Sequence, residues 1–388
     1  MPHHDAVRLR PLGVRHLGVR HGRVLALIAV AALAAACRQE PAGLTPRHIA
    51  VLSEDQVAAP LTLATVDDEL HVLFASLDTL TLQLARLDPR RNRLTLETID
   101  AVGIYPSDLT AFGVHAYAVH VGRQHVIYLD QHQPDALIPK WVHRDADEDG
   151  WWVTSPVFEG TPRALMPQDS GDLLLVTATP HGPAVVELSA VSGSGRHRPE
   201  GMADHPRLVW PVPCAGSASF VAPAAGASLV RHRGDGSYQP LLDGVGAHFA
   251  GCADGIPYVL WHLPSSSEVL FAPVADDGLG PTTAVTLAIG TTSLYFLPRP
   301  AGFSFVIDEF VIDDSDDEPG GRHRIALIHP ADEPGQQGTY RKSVLVDPAS
   351  PQGFSAAHLK ELLVIVERRS GERQEATAGL QAAIFTLP

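Results

Sequence analysis

The strongest constraint on this chain is a phrase that recurs along it. A strand-like run rich in small residues is followed by a tight turn and a second, more apolar run. The copies read PLTLATVDDELHVLFA from Pro60, SDLTAFGVHAYAVHVG from Ser107 and PRALMPQDSGDLLLVTA from Pro162. Four more follow: SASFVAPAAGASLVRHR from Ser217, AHFAGCADGIPYVLWH from Ala247, TSLYFLPRPAGFSFVIDE from Thr292 and GFSAAHLKELLVIVER from Gly353. Their turns fall near Asp68, Gly113, Gly171, Gly226, Gly255, Gly302 and Glu361, at a mean spacing of about 49 residues. Most of these turns carry Gly or Asp, which tolerate the positive φ that hairpin turns demand.

A period of this length with several short strands per unit is the mark of an all-β chain folded as a β-propeller. Further strand-like runs, such as EVLFAPVA and TTAVTLA after the fifth phrase, supply the four strands that a blade requires. Seven phrases predict seven blades. Six is the alternative, because the fourth unit spans only about 29 residues. The run HIAVLSE from His48 is placed to complete the last blade and close the ring without an exposed edge. Leu359, Leu362, Leu363 and Val366 also fit the spacing of a helix, but Val364, Ile365 and Val366 are β-branched and align with the other second strands. No WD, kelch or Asp-box signature accompanies the repeat, and the rival architecture is a pair of β-sandwiches.

The 388 residues are 45% hydrophobic, enough to bury a large core, which excludes disorder as a description of the whole chain. A formal charge of −15 argues against a nucleic-acid partner, because phosphate contacts need a basic face.

The N-terminus differs from the rest. Five arginines (Arg8, Arg10, Arg15, Arg20, Arg23) accompany a single acid, Asp5, and Val24 to Ala36 then runs without a polar side chain. Thirteen helical residues rise about 20 Å, short of a bilayer core, so residues 1–36 read as a cleaved signal peptide. The stretch ends Leu33-Ala34-Ala35-Ala36-Cys37, which resembles the lipobox of bacterial lipoproteins, with Ala34 where leucine is favoured. The resemblance implies that Cys37 is lipidated and becomes the mature N-terminus. Arg38, where inner-membrane retention often has aspartate, implies delivery to the outer membrane of a bacterial envelope. Residues 37–47 then form a lipidated tether and residues 48–388 the propeller domain. Removal of residues 1–36 leaves 24 basic and 43 acidic residues, a net of −19. Such a surface is repelled by anionic headgroups, so membrane attachment rests on the lipid anchor.

Cys214 and Cys252 remain, and outside the cytoplasm a leftover pair commonly closes a disulfide; two buried thiols are the alternative. Neither belongs to a CxxC motif.

The sharpest local feature is Asp145-Ala-Asp147-Glu-Asp149-Gly150, followed by Trp151 and Trp152. Alternating aspartates before a glycine can wrap oxygens around calcium, and the spacing resembles the opening half of an EF-hand-type loop. The closing carboxylate is missing, since the twelfth position is Pro156, so a solvated hairpin tip explains the same residues. The run Asp313-Asp314-Ser315-Asp316-Asp317-Glu318 reads as a solvated loop. His115, His120 and His125 are spaced by five, which on one strand alternates faces, and no HExxH is present. His248 and His358 fall in first strands that could line a central channel. GxSxG, GxxxxGK and GxGxxG are all absent, and no residue earns a catalytic role.

The expectation is a lipid-anchored, extracytoplasmic propeller that binds a protein or glycan partner without catalysis. The alternatives are a hydrolase or lyase with an axial site, and a purely structural envelope lipoprotein.

Overall fold

In the computed structural model, the described residues lie between 44 and 387. They exclude several loop segments, the longest being 103–114, 199–209, 331–339 and 369–378. No helix among the described residues is long and apolar enough to cross a membrane. The chain opens with β1 (His48–Ser53) and then builds blade 1 from β2 (Thr62–Val66), β3 (Glu69–Ser76), β4 (Thr81–Asp88) and β5 (Arg93–Ala101). Blade 2 is β6 (His115–His120), β7 (Arg123–Gln133), β8 (Ala136–Asp145) and β9 (Trp152–Thr154). Blade 3 is β10 (Thr161–Pro167), β11 (Leu173–Thr179), β12 (Gly182–Leu188) and β13 (Gly195–Arg198). Blade 4 is β14 (Trp210–Cys214), β15 (Ser217–Ala224), β16 (Ser228–His232) and β17 (Tyr238–Leu242).

Blade 5 comprises β18 (His248–Ala253), β19 (Ile256–His262), β20 (Glu268–Ala275) and two short outer pieces, β21 (Gly278–Leu279) and β22 (Thr283–Thr286). Blade 6 is β23 (Thr291–Arg299), β24 (Gly302–Asp313), β25 (Gly320–Pro330) and β26 (Tyr340–Ala349). Blade 7 is β27 (Phe354–Leu359), β28 (Leu362–Arg368) and β29 (Leu380–Thr386), with β1 as its fourth strand.

The chain is a β-propeller, and strand pairing counts seven antiparallel sheets among the described residues. The first strands β2, β6, β10, β14, β18, β23 and β27 lie side by side in that order, and β27 returns to β2. That adjacency closes a ring, whereas a sandwich pair would stack sheets face to face. Two phrases are misphased in the sequence reading. In blade 2 the inner turn is at 121–122, not Gly113, because HAYAVH is the first strand and not the second. In blade 4 the phrase from Ser217 is the second and third strands, and WPVPC (β14) is the first. The apparent shortness of the fourth unit comes from that slip. The second and third strands of a blade can carry the same small-to-apolar pattern and short turn as the first and second, as β15 and β16 do, so periodicity finds the blade but not its phase.

The ring is fastened by β1. His48, Ile49, Ala50 and Val51 pair with Ile384, Ala383, Ala382 and Gln381, and a bulge follows before Ser53 meets Leu380. The alternation of β1 is clear: Ala50 and Leu52 are buried against blade 1, while Ile49 and Val51 face outward, 48% and 54% exposed. The core lies between blades. Leu70, Val72 and Phe74 of blade 1 pack with Val364, Val366 and Ile384 of blade 7. Tight turns set the blade geometry, as at Asp67 and Asp68, both left-handed at φ 47° and 68°. LLVIV forms β28, as its β-branched content predicts, entered through Lys360 at φ 55°.

A candidate binding loop on blade 2

The β8–β9 connection carries the aspartate–tryptophan motif, and both of its ends are fixed by side chains. At the entry, Arg123 at the start of β7 lies across the strand from Asp145. Its guanidinium donates to both carboxylate oxygens, the Nη2–Oδ2 distance being 2.8 Å. This hydrogen bond holds the Asp145 carboxyl below the usual range. At the exit, Trp151 donates its indole N–H to Glu97 of blade 1 at 2.9 Å. Arg144 lies over the Trp151 ring, 4.3 Å from its centroid, and donates to Glu97 and to Gln124. Arg86 reaches the other Glu97 oxygen at 3.2 Å. Glu97 therefore gathers two guanidiniums and an indole into the seam between blades 1 and 2.

Beneath this knot, His71 Nδ1 and the Tyr117 hydroxyl are 2.6 Å apart. Glu69 lies 4.0 Å from the other ring nitrogen, Nε2, and the imidazole tautomer sets which of Nδ1 and the phenol donates. Burial, then the Arg86 and Arg144 charges, push His71 down to about 4, while burial pushes Tyr117 up. Lower in the seam, Tyr128 donates to Asp100, and Lys140 bridges Asp130 at 2.6 Å and Asp100 at 3.2 Å. Burial opposes the Lys140 charge most strongly of any single effect, but the hydrogen bonds and charges of Asp130 and Asp100 together outweigh it and raise the pKa.

The other face of blade 2 holds a cluster that sequence spacing misassigned. The turn at 121–122 separates His120 from His125, so the three histidines do not share one strand. His125 sits opposite Ala118 and directly across from His143, which places His120, His125 and His143 on one face. Trp141 donates to His125 Nδ1 at 3.3 Å. Burial, with the nearby His143 and Arg123 charges, drives His125 down to about 3. The pairing of β7 with β8, invisible to one-strand periodicity, is the signal that would have found the cluster. Among the described residues, no three His, Cys, Asp or Glu side chains converge as metal ligands.

Beyond this clamp the chain turns outward. Trp152 is 60% exposed and Val153 53%, on the outermost strand of the blade, whereas Trp141 and Trp261 are buried as core residues. Of the calcium candidates, Asp145 is engaged by Arg123, and Asp147 and Asp149 lie outside the described residues, as do Cys37 and residues 314–318. Cys214 ends β14 and Cys252 lies on β18, neighbouring first strands of blades 4 and 5. Their side chains, and that of His248, are outside the described set. His358 is half-buried on β27.

No family model matches the chain, and no curated protein does. Solved structures resemble it in fold. YCF48 bound to D1 peptide has 12% identity and a TM-score of 0.53, over 89% of this chain and 99% of that one. A catalytically inactive virginiamycin B lyase from Staphylococcus aureus with Quinupristin has 9% identity and a TM-score of 0.53, over 88% and 99%. The RRP9 WD40 repeats have 10% identity and a TM-score of 0.54, over 90% and 100%. Identities this low establish the propeller class alone.

Proposed function

We propose that the protein is a lipid-anchored propeller of the bacterial envelope that binds a protein partner through the blade 2 loop and does no chemistry on it. The observation that carries this reading is the clamp: Arg123 fixes one end of the acidic loop and Glu97 with Arg144 the other, and Trp152 just beyond is 60% exposed. A rigid mount lowers the ordering cost of binding, and an exposed tryptophan is a typical anchor. The loop's Asp147, Glu148 and Asp149, on a domain of strongly negative charge, suit a partner surface with basic residues around an apolar pocket. Structures of like fold hold a D1 peptide or ARL6DN. A neutral His71 and His125 and a raised Tyr117 are poorly matched to acid–base work near pH 7, which favours binding over hydrolysis or lyase chemistry at this seam.

The lipid anchor follows from the signal segment and Cys37, and the oxidising compartment it implies would pair Cys214 with Cys252 between blades 4 and 5. The test is a photo-crosslinking side chain at Trp152 in cells, with Ile256 of blade 5, 45% exposed, as control. The expected result is one discrete adduct at 152, weakened by Asp147→Lys with Asp149→Lys, and none at 256. Equal capture at both positions, or none at either, overturns the reading.

A further inference from the structure

The path of the chain just before β1 sets the point on the domain from which a tether to Cys37 would start. Leu44 donates its N–H to the Val344 carbonyl of β26 at 2.7 Å, and Arg47 donates to the Ile384 carbonyl of β29 at 2.7 Å. Leu44 also packs into the apolar seam between blades 6 and 7 with Val346 and Phe385. Because β26 and β1 are the outermost strands of those two blades, the chain enters the domain on the rim of the ring, away from its axis. Only residues 38–43 separate Cys37 from Leu44, a span of at most about 25 Å when fully extended.

The rim at this point is unlike the loop faces. β1 carries no charged side chain, Arg47 precedes it, and Ile49 and Val51 stand side by side on its outward face, about half exposed. The inter-strand turns, by contrast, are studded with acids, among them Asp67, Asp68 and Asp78 of blade 1 and the blade 2 loop. Laying a loop face on anionic headgroups is opposed by that charge; the β1 rim, with Arg47 before it and the exposed Glu54 after it, is opposed less. Two aliphatic side chains at the headgroup boundary would add a modest apolar gain to a chain already held there.

We infer that the blade 6–blade 7 rim, centred on Ile49 and Val51, is the surface that rests on the lipid bilayer, so that the propeller stands edge-on with both loop faces open to the aqueous compartment. This inference rests on lipidation of Cys37, as proposed above. The edge-on pose also leaves the Trp152 loop clear of the membrane.

The test uses the full chain, processed and purified from membranes, in vesicles of phosphatidylethanolamine and phosphatidylglycerol with a fraction of lipid carrying a spin label near the headgroup. A fluorescent non-natural side chain is placed at Ile49 or at Val153, both exposed, so neither substitution threatens the fold. The expected result is several-fold stronger quenching at 49 than at 153, and loss of that difference when a long Gly/Ser linker is inserted after Gly43. Equal or absent quenching at the two positions, in protein that carries lipid and floats with vesicles, overturns the rim inference and leaves the anchor intact. Protein whose N-terminal peptide shows no added lipid mass, and which behaves as Cys37→Ser does, overturns both.

Discussion

Arg144 lies over the Trp151 ring at 4.3 Å, and both residues reach across a blade boundary to the same Glu97 oxygen. A cation stacked on the ring it shares an acceptor with holds the loop exit in one orientation. The carboxylate that secures them belongs to another blade, so the loop is fixed to the ring as well as to its own sheet.

Glu97→Ala strips Arg144, which is largely buried, and the Trp151 indole of their shared acceptor. Breaking such a pair from one side is expected to cost about 2–4 kcal/mol, read as a lower urea midpoint with unchanged slope. The double variant Glu97→Leu with Arg144→Met should recover most of the loss. A Glu97→Ala chain as stable as the parent would show that the seam does not hold the two blades.

Acid should weaken the fold before its carboxylates titrate. His71 and His125 are depressed in the folded protein to about 4 and about 3, so between those values and the ordinary histidine range the unfolded chain binds protons that the folded chain refuses. Their contribution is fully present above about pH 6.5 and falls as pH drops below it, at up to about 1.4 kcal/mol per pH unit for each imidazole. Urea midpoints at pH 7.5, 6 and 5 measure the slope, and His125→Gln should flatten it. A flat profile in the parent protein would contradict the burial of both rings.

The bidentate grip of Arg123 on Asp145 sets the response to calcium. An ion competing for that carboxylate must displace a guanidinium, so the parent's Tm should be indifferent to calcium. Arg123→Gln releases Asp145 beside Asp147 and Asp149, and its Tm should rise with calcium and saturate. A saturable rise in the parent would return the loop to the candidate calcium sites.

Cys214 and Cys252 stand on neighbouring first strands, and their bridge would close a loop of about 38 residues. Thiol titration of the denatured, unreduced mature protein should find neither cysteine free. Reduction should then lower stability by about 3–4 kcal/mol on the loop-entropy account. Two free thiols per chain would reverse this expectation.

The propeller was legible because its repeat is built from local signals: Gly or Asp in most turns, small residues in first strands, and β-branched runs such as Leu362–Val366. The closing role of HIAVLS was legible too, because a ring needs one borrowed strand. Phase was not, since WPVPC has two prolines and little strand propensity, and only its pairing to Ser217–Val221 marks it as the first strand of blade 4. The candidate loop was visible as Asp145 to Trp152, but its clamp was not. Glu97 is one acid in an alternating edge strand, and its partners Arg144 and Trp151 lie about 50 residues away on another blade.

The first strand to emerge is the last to find its place. β1 is complete once residue 53 is made, yet its ladder partner among the described residues is β29, whose Leu380–Ile384 arrives more than 300 residues later. Closing that gap places the costliest loop entropy of the fold in a single late event. Until then blade 7 has a bare edge, and Ala50 and Leu52 have no blade 1–blade 7 core to enter. A half-made ring is thus an aggregation hazard whose remedy lies at the chain's far end. Loss of the last few residues would therefore be felt at the first.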